Sequence, residues 1–372
     1  MKKGLFLLFT LVLLVTAATK LDLGVLIAKA QDHLWETYCP GAVETTVQGS
    51  GYMVSCHPAV QTQTPVPTTP VPPTATPPPP GGAIVVDHTS VTRFEQIPAQ
   101  YLTAARNLEV LFSDRSVGNN FHQGLDCLKA ASFGAAPAYC RRDYNGASMK
   151  TYNEADMSAG RVPVAINFSP SATLYTRNNW AFELRSGSWS DLTCDFINSL
   201  APAHLNRDVL SYQFSYLNVD TGSDILRFFE NTSDRCDIYD LEAFIAAHPD
   251  KTFIFWTASL ARGIGTREAA DFNDRMRQYA RDHGKILFDF AAIESHTPSG
   301  QPCFDNRDGV PFTSPTNGGY ENYPNDGVQT PSICKDYTTE IDGGHLGSVS
   351  GGMIRTAKAF WVLMAQIAGW RP

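Results

Sequence analysis

Residue types that support acyl transfer stand at two widely separated places in the sequence. Ser116 follows the apolar, β-like stretch 107–112 (NLEVLF) and begins the polar segment SVGNN, whereas Asp342 precedes His345 by three positions in EIDGGHLGSVSGG. A serine hydroxyl becomes a good nucleophile when a base accepts its proton. A histidine held by a carboxylate through its other ring nitrogen is such a base. Taken singly, Ser116 is also typical of a helix cap, Asp342 of a turn and His345 of a polar helix start.

An alternating pattern of strands and helices places these residues at chain turns. Continuous apolar strands that alternate with amphipathic helices predict a parallel sheet covered on both faces. Ligands of such sheets bind beyond the carboxyl ends of the strands, so the loops that follow the strands are expected to form the site. The predicted strands are 107–112, 162–168, 209–216, 252–257 and 286–290, and the clearest predicted helices lie within 240–249, 268–284 and 350–370.

This combination resembles the SGNH (GDSL-like) hydrolases over residues 105–370. The resemblance depends on a strand followed by Ser116, on the five-strand alternation, and on D-x-x-H before the last helix. FIFWTASL (253–260), followed by a helix around DFNDRMRQYA and by ILFDFAAIES, is similar to branches in which Ser-Val-Gly replaces the usual Gly-Asp-Ser block. The resemblance implies a three-layer α/β/α sandwich with a five-stranded parallel sheet of the flavodoxin type. It also implies ester hydrolysis through an acyl-serine, with Ser116 as nucleophile, His345 as base and acid, Asp342 as orienter, and no cofactor or metal.

The same resemblance implies an oxyanion hole with three donors. They would be the backbone N–H of Ser116, the N–H of Gly187 in RSGSWSDL, and the side-chain amide of Asn218 in SYLNVD. The sequence departs from the family pattern before the serine, where Asp114 and Arg115 replace Gly and Asp, and in the third block, which lacks Gly-x-Asn-Asp. These departures leave a second hypothesis open, a catalytically degenerate surface module that binds glycan or protein.

Two other site classes fit the sequence less well. An α/β-hydrolase would place its nucleophile in G-x-S-x-G, which occurs nowhere in the chain, and its acid and histidine normally come from separate loops. The chain has no C-x-x-C and no histidine pair with zinc-like spacing, which argues against a metal site.

The N-terminal part predicts export. Lys2 and Lys3 precede an apolar run at 5–18 that is short for a membrane span, so residues 1–30 are predicted to be a signal peptide cleaved after Ala17 or Ala30; an uncleaved anchor is the alternative. Residues 31–57 are predicted to be a small disulfide-closed segment with a hairpin. Residues 58–82 are predicted to be an extended linker, because positions 61–80 hold nine prolines and six threonines. Residues 83–372 form the predicted hydrolase domain.

Composition and cysteine usage agree with a secreted or cell-surface protein. The chain is 43% apolar and 18% charged, which is typical of a globular core, and its net charge of −8 argues against a nucleic-acid partner. An ester, with extracellular polysaccharide as one option, is the expected substrate, and no stable membrane insertion is expected once the signal is removed. An even number of cysteines in an exported chain predicts disulfides, and we expect successive cysteines to pair, with a Cys303–Cys334 bridge that holds a pocket wall. The eight cysteines are Cys39, Cys56, Cys127, Cys140, Cys194, Cys236, Cys303 and Cys334.

Overall fold

The computed structural model describes residues 83–142, 150–162, 170–263, 265–305, 329–338, 340 and 343–372, and the backbone of 43–48 and 51–56. Its strands are β1 (Val43–Gln48), β2 (Gly51–Cys56), β3 (Val85–Val86), β4 (Val110–Asp114), β5 (Trp180–Leu184), β6 (Val209–Tyr212), β7 (Thr252–Trp256) and β8 (Ile286–Phe288). Its α-helices are α1 (Ala99–Asn107), α2 (Ser116–Leu128), α3 (Glu154–Ser158), α4 (Trp189–Asp195), α5 (Ala201–Ala203), α6 (Ile238–Ala247), α7 (Arg267–Asp282), α8 (Phe290–Glu294) and α9 (Gly352–Ile367).

Six strands form a parallel sheet in the order β5-β4-β6-β7-β8-β3. When the five longer strands are numbered along the chain, this order is 2-1-3-4-5, the order of flavodoxin-like doubly wound sheets. The predicted α/β class and the three-layer arrangement are therefore confirmed. The predicted number of strands was one too low: β3 comprises only two residues of the short apolar run 83–86 and was not among the predicted strands.

Four of the five predicted strands overlap observed ones, although the first extends to Asp114 rather than ending at residue 112. The predicted strand at 162–168 falls almost entirely on residues outside the described part of the chain. The strand that follows β4 along the sequence is β5, which none of the predicted strands covers. The hairpin predicted near residues 43–56 is confirmed: β1 and β2 pair antiparallel, and Val43 pairs with Leu184 at the edge of β5.

The helices form two groups, one on each side of the sheet. α9 contacts both α1 and α2, whereas α4, α6 and α7 gather around a short 3-10 turn at Ile225–Phe229 and the π-helical segment Phe196–Leu200. The predicted helices correspond to α6, α7 and α9. Gly284 ends α7 with φ +63°, a conformation that glycine adopts without strain.

A cluster of aromatic rings fixes α2 and α9 on the sheet. Phe121 of α2 packs edge-on against Phe112 of β4 and Phe360 of α9, at centroid distances of 5.1 and 5.0 Å. Trp256 of β7 stacks on Phe112 at 4.4 Å. Aromatic pairs in these geometries each contribute about 0.5–1.5 kcal/mol beyond the burial of their area. The start of α2 is thus held rigidly over the carboxyl end of the sheet.

Three predicted disulfides are present: Cys127–Cys140, Cys194–Cys236 and Cys303–Cys334. Cys39, the expected partner of Cys56, lies outside the described residues, as do the predicted signal peptide and linker. In the described part of the chain, no helix is both long and apolar enough to cross a membrane.

Candidate active site

Ser116 occupies the turn between β4 and α2. The strand ends at Asp114, Arg115 has extended backbone angles, and Ser116 is the first residue of a helix of 13 residues. Ser116 therefore lies two residues beyond the strand, closer than the four predicted. The first turn of α2 contains no acidic residue of its own, but the buried carboxyl group of Asp114 lies next to the backbone amide of Gly118 in that turn.

The glycine two positions after Ser116 is required by close packing. A Cβ atom at Gly118 would lie 2.5 Å from Cβ of Asp114 and 2.8 Å from the ring of Phe182. Both distances are shorter than nonbonded carbon atoms allow, so a side chain here would push α2 away from β4. The Ser-Val-Gly sequence thus allows the helix to begin directly above the strand.

A hydrogen bond across the fold joins the Ser116 helix to the His345 loop. The amide of Leu346 donates to Oδ1 of the buried Asn120 at 3.0 Å, and Asn120 lies one helical turn after Ser116. From the other side, the amide of Arg262 donates to the carbonyl of Gly343 at 2.8 Å. The loop before α9 is therefore tied to two neighbouring segments at the residues that flank His345.

Glu340 holds the ring of His345. Its Oε1 lies 2.8 Å from Nδ1 of His345, and its Oε2 accepts the backbone N–H of His345 at 2.8 Å. The side chains of His345 and Glu340 are only 13% and 11% exposed. A carboxylate at Nδ1 favours the tautomer in which Nδ1 carries the hydrogen and Nε2 is the proton acceptor. Asp342, the predicted orienter, lies outside the described residues, so its role stays a prediction.

The oxyanion-hole candidates are neighbours of one another. Nδ2 of Asn218 donates to the carbonyl of Gly187 at 2.9 Å, and Nη1 of Arg115 approaches the same carbonyl at 3.4 Å. Oδ1 of Asn218 accepts the N–H of Ser215 at 3.0 Å, so the amide is oriented from both ends. Gly187 directly precedes Ser188, which caps α4 after β5, as expected for a glycine after the second strand. The structure thus brings Gly187 and Asn218 together beside Arg115, the residue that precedes Ser116.

Ser116 and His345 line one cleft. Its volume is about 500 Å³, open mouth included, which is enough for a small ligand. Most of the remaining wall is polar and comes from α2 and from the segment that the Cys127–Cys140 disulfide ties to it. The other lining residues are Asn119, Asn120, Gln123, Tyr139, Arg142, Leu346 and Met353.

Two buried carboxyl groups lie near the nucleophile turn. Burial raises the pKa of Asp114 to about 7, although the nearby amides of Arg115 and Gly118 and the charge of Arg115 favour its ionised form. Neither carboxyl oxygen of Asp114 makes a hydrogen bond of standard geometry. Burial also raises the pKa of Glu294 well above its usual value, and the charge of Asp114 contributes to that rise. Below pH 7 the carboxyl group of Asp114 is therefore mostly protonated and adds little negative charge near His345.

Sequence reasoning missed three residues that the structure brings to this site: Glu340, Asn120 and Arg142. Glu340 was visible five residues before His345, and Asn120 four residues after Ser116, which on a helix is the same face. Arg142 lies two residues after Cys140, but no pattern in the sequence places its side chain in the cleft.

No protein-family model, curated protein or solved structure matches this chain. The resemblance to the SGNH hydrolases therefore depends on the sequence motifs alone, namely Ser116 after a strand, the alternation of strands and helices, and D-x-x-H before the last helix.

Proposed function

We propose that this protein is an exported serine esterase of the SGNH type, which hydrolyses an ester through an acyl-serine intermediate. The observation that carries the proposal is that Ser116, at the N-terminus of α2, lines the same cleft as His345, whose Nδ1 is bonded to Glu340. Three disulfides are compatible with an extracellular location.

In the first half of the proposed reaction, Nε2 of His345 takes the proton of the Ser116 hydroxyl while Oγ attacks the ester carbonyl carbon. The electron pair of the carbonyl moves to its oxygen. The proposed donors that stabilise this oxyanion are the backbone N–H groups of Ser116 and Gly187 and the side-chain amide of Asn218. When the tetrahedral intermediate collapses, the bond to the alcohol breaks and the imidazolium donates its proton to the leaving oxygen. Glu340 stabilises the imidazolium in the interval.

In the second half, His345 removes a proton from water, whose oxygen attacks the acyl carbon of the acyl-serine. The bond from Ser116 Oγ to the acyl carbon then breaks, Oγ regains the proton from His345, and the carboxylic acid leaves. No external electron donor or acceptor is needed.

A fluorophosphonate probe tests the proposal directly, because it phosphonylates only an activated serine. We expect the folded wild-type protein to be labelled at pH 8, with the phosphonate located on Ser116 by peptide mass spectrometry. Labelling should disappear in Ser116→Ala and slow strongly in His345→Ala, whereas the exposed-surface control Ser299→Ala should label like the wild type. Thermal unfolding of each variant verifies that the fold is retained.

Absence of labelling in the folded wild-type protein would refute the esterase and support the alternative, a surface module that binds glycan or protein with the same fold. Acyl-chain preference is then measured with p-nitrophenyl esters of increasing length and with acetylated xylan. Loss of activity in Ser116→Ala should amount to several orders of magnitude.

A further inference from the structure

The cleft contains a cation, Arg142, for which the described part of the chain provides no carboxylate partner. Arg142 is half-buried and lines the cleft with Ser116 and His345. Within the described part of the chain, no carboxylate lies at ion-pair distance from its guanidinium, and the guanidinium makes no hydrogen bond there. Other arginines of this chain do have acidic partners, for example Arg177 with Asp126 at 2.8 Å.

The backbone at Arg142 is fixed from three directions. Oγ of Ser348 donates to its carbonyl at 2.7 Å, which links it to the segment between His345 and α9. Arg142 also forms an antiparallel bridge with Thr151, and Cys140, two residues earlier, is bonded to Cys127 of α2. Arg142 is therefore held in a defined place relative to both the nucleophile helix and the base loop.

Two described carboxylates close to the cleft are already paired with other groups. Glu340 is bonded to His345. Asp126 accepts a hydrogen bond from Tyr139 at 3.2 Å and forms ion pairs with Arg177 and Lys129. The helix N-terminus adds further positive potential next to Ser116. A guanidinium is a fork of donors that matches a carboxylate, phosphate or sulfate.

We propose that the cleft selects an anionic ester, and that Arg142 binds the anionic group of the substrate. The inference rests on the proposed esterase function and names the class of its substrate: an ester that carries a carboxylate, phosphate or sulfate on its acyl or its alcohol part. Arg142 is then a specificity-determining residue.

Two matched substrate pairs distinguish the acyl side from the alcohol side. The first pair is mono-p-nitrophenyl succinate and p-nitrophenyl butyrate; the second is 4-acetoxybenzoate and its methyl ester. We expect the ratio of kcat/KM, anionic over neutral, to exceed one for at least one pair. In Arg142→Gln that ratio should fall roughly tenfold or more, since charged hydrogen bonds of this type contribute about 1.5–3 kcal/mol. Arg142→Lys should retain part of the preference, and added salt should reduce it in the wild type.

The control is Arg161→Gln, which removes the same charge from an exposed arginine paired with Asp156. It should leave both ratios unchanged. Ratios that are the same in the wild type and in a folded Arg142→Gln protein would overturn the inference. If Arg142→Gln does not fold, the comparison is made with Arg142→Lys.

A binding measurement separates failure of this inference from failure of the esterase proposal. In Ser116→Ala, titration calorimetry with succinate is expected to show binding that weakens roughly tenfold when Arg142→Gln is added. A protein that hydrolyses no ester but shows this difference refutes the esterase and keeps the anion site. Equal succinate binding with and without Arg142, or no binding at all, refutes the anion site whether or not esters are hydrolysed.

Discussion

Replacing Asp114 by Asn should make the protein more stable at alkaline pH, although the residue directly precedes the nucleophile turn. Asp114 is 1% exposed, and burial raises its pKa from 3.8 to about 7. The folded chain thus holds this proton more tightly than the unfolded chain. Between about pH 4 and pH 7 the folded state binds more protons, and stability must fall as the pH rises through that window.

The magnitude follows from the two pKa values. A rise from 3.8 to about 7 is about 3 pH units, and each unit corresponds to about 1.36 kcal/mol, so ionising Asp114 costs the fold about 4 kcal/mol. Asparagine has nearly the shape of the protonated acid and does not ionise. The two proteins should therefore be similarly stable at pH 4, and Asp114→Asn should be about 4 kcal/mol more stable at pH 8.

The assay is denaturant unfolding with intact disulfides, from pH 4 to pH 9, on the wild type, Asp114→Asn and the control Asp271→Asn. Asp271 is exposed on α7, so its variant should follow the wild type at every pH. Glu294 is present in all three proteins, so its contribution to the differences is limited to the part of its pKa rise that comes from the charge of Asp114. A difference between Asp114→Asn and the wild type that stays constant within about 1 kcal/mol across this range would refute the reasoning.

Three further predictions concern the residues that build the site. Glu340→Gln should lower kcat by about 10²–10⁴-fold because Gln can hold the wrong tautomer, while Asp342→Asn should change it much less; the reverse ranking in steady-state kinetics would assign the orienting role to Asp342. Asn120→Ala removes the acceptor of the buried Leu346 amide and should lower the free energy of unfolding by about 1–3 kcal/mol, measured by thermal unfolding. It should also lower kcat with little change in acyl-chain preference, and a variant as stable as the wild type would contradict the described tether. The double variant Cys303→Ser/Cys334→Ser opens a cross-link of sequence separation 31 and should lower the free energy of unfolding by about 3–4 kcal/mol, measured by denaturant unfolding. An unchanged free energy of unfolding would contradict the expectation that this cross-link restricts the unfolded chain.

The central strands and the main helices could be predicted because burial leaves a plain pattern in the sequence. β4 is buried at all five positions, and α9 is buried almost all round, so both appear as apolar runs. β5 could not be predicted in the same way. It lies at the edge of the parallel part of the sheet, only Trp180 is fully buried, and the polar Glu183 interrupts the run. Without a continuous apolar run or a strict alternation, no pattern marks it as a strand.

The site was predictable at the level of residue types but not of contacts. Ser116, His345, Gly187 and Asn218 each follow a strand or precede a helix, and parallel topology gathers such positions at one edge of the sheet. The contact between Glu340 and His345 depends instead on how a glycine-rich loop folds back on itself. A Cβ atom at Gly343 would collide with the Glu340 carboxylate, so the loop conformation and this contact require each other. Spacing in the sequence carries no such information.

The tether between Asn120 and Leu346 has a consequence for biosynthesis. It joins residues 226 positions apart, so the polypeptide must be elongated far past the nucleophile before the base can reach it. Contacts of such high sequence separation form slowly because the long intervening loop must be closed first. A nascent chain emerging at about 5–20 residues per second would thus carry an inert serine for roughly ten seconds or more. Under the proposed function, activity would therefore appear late, after the loop that carries His345 has docked on α2.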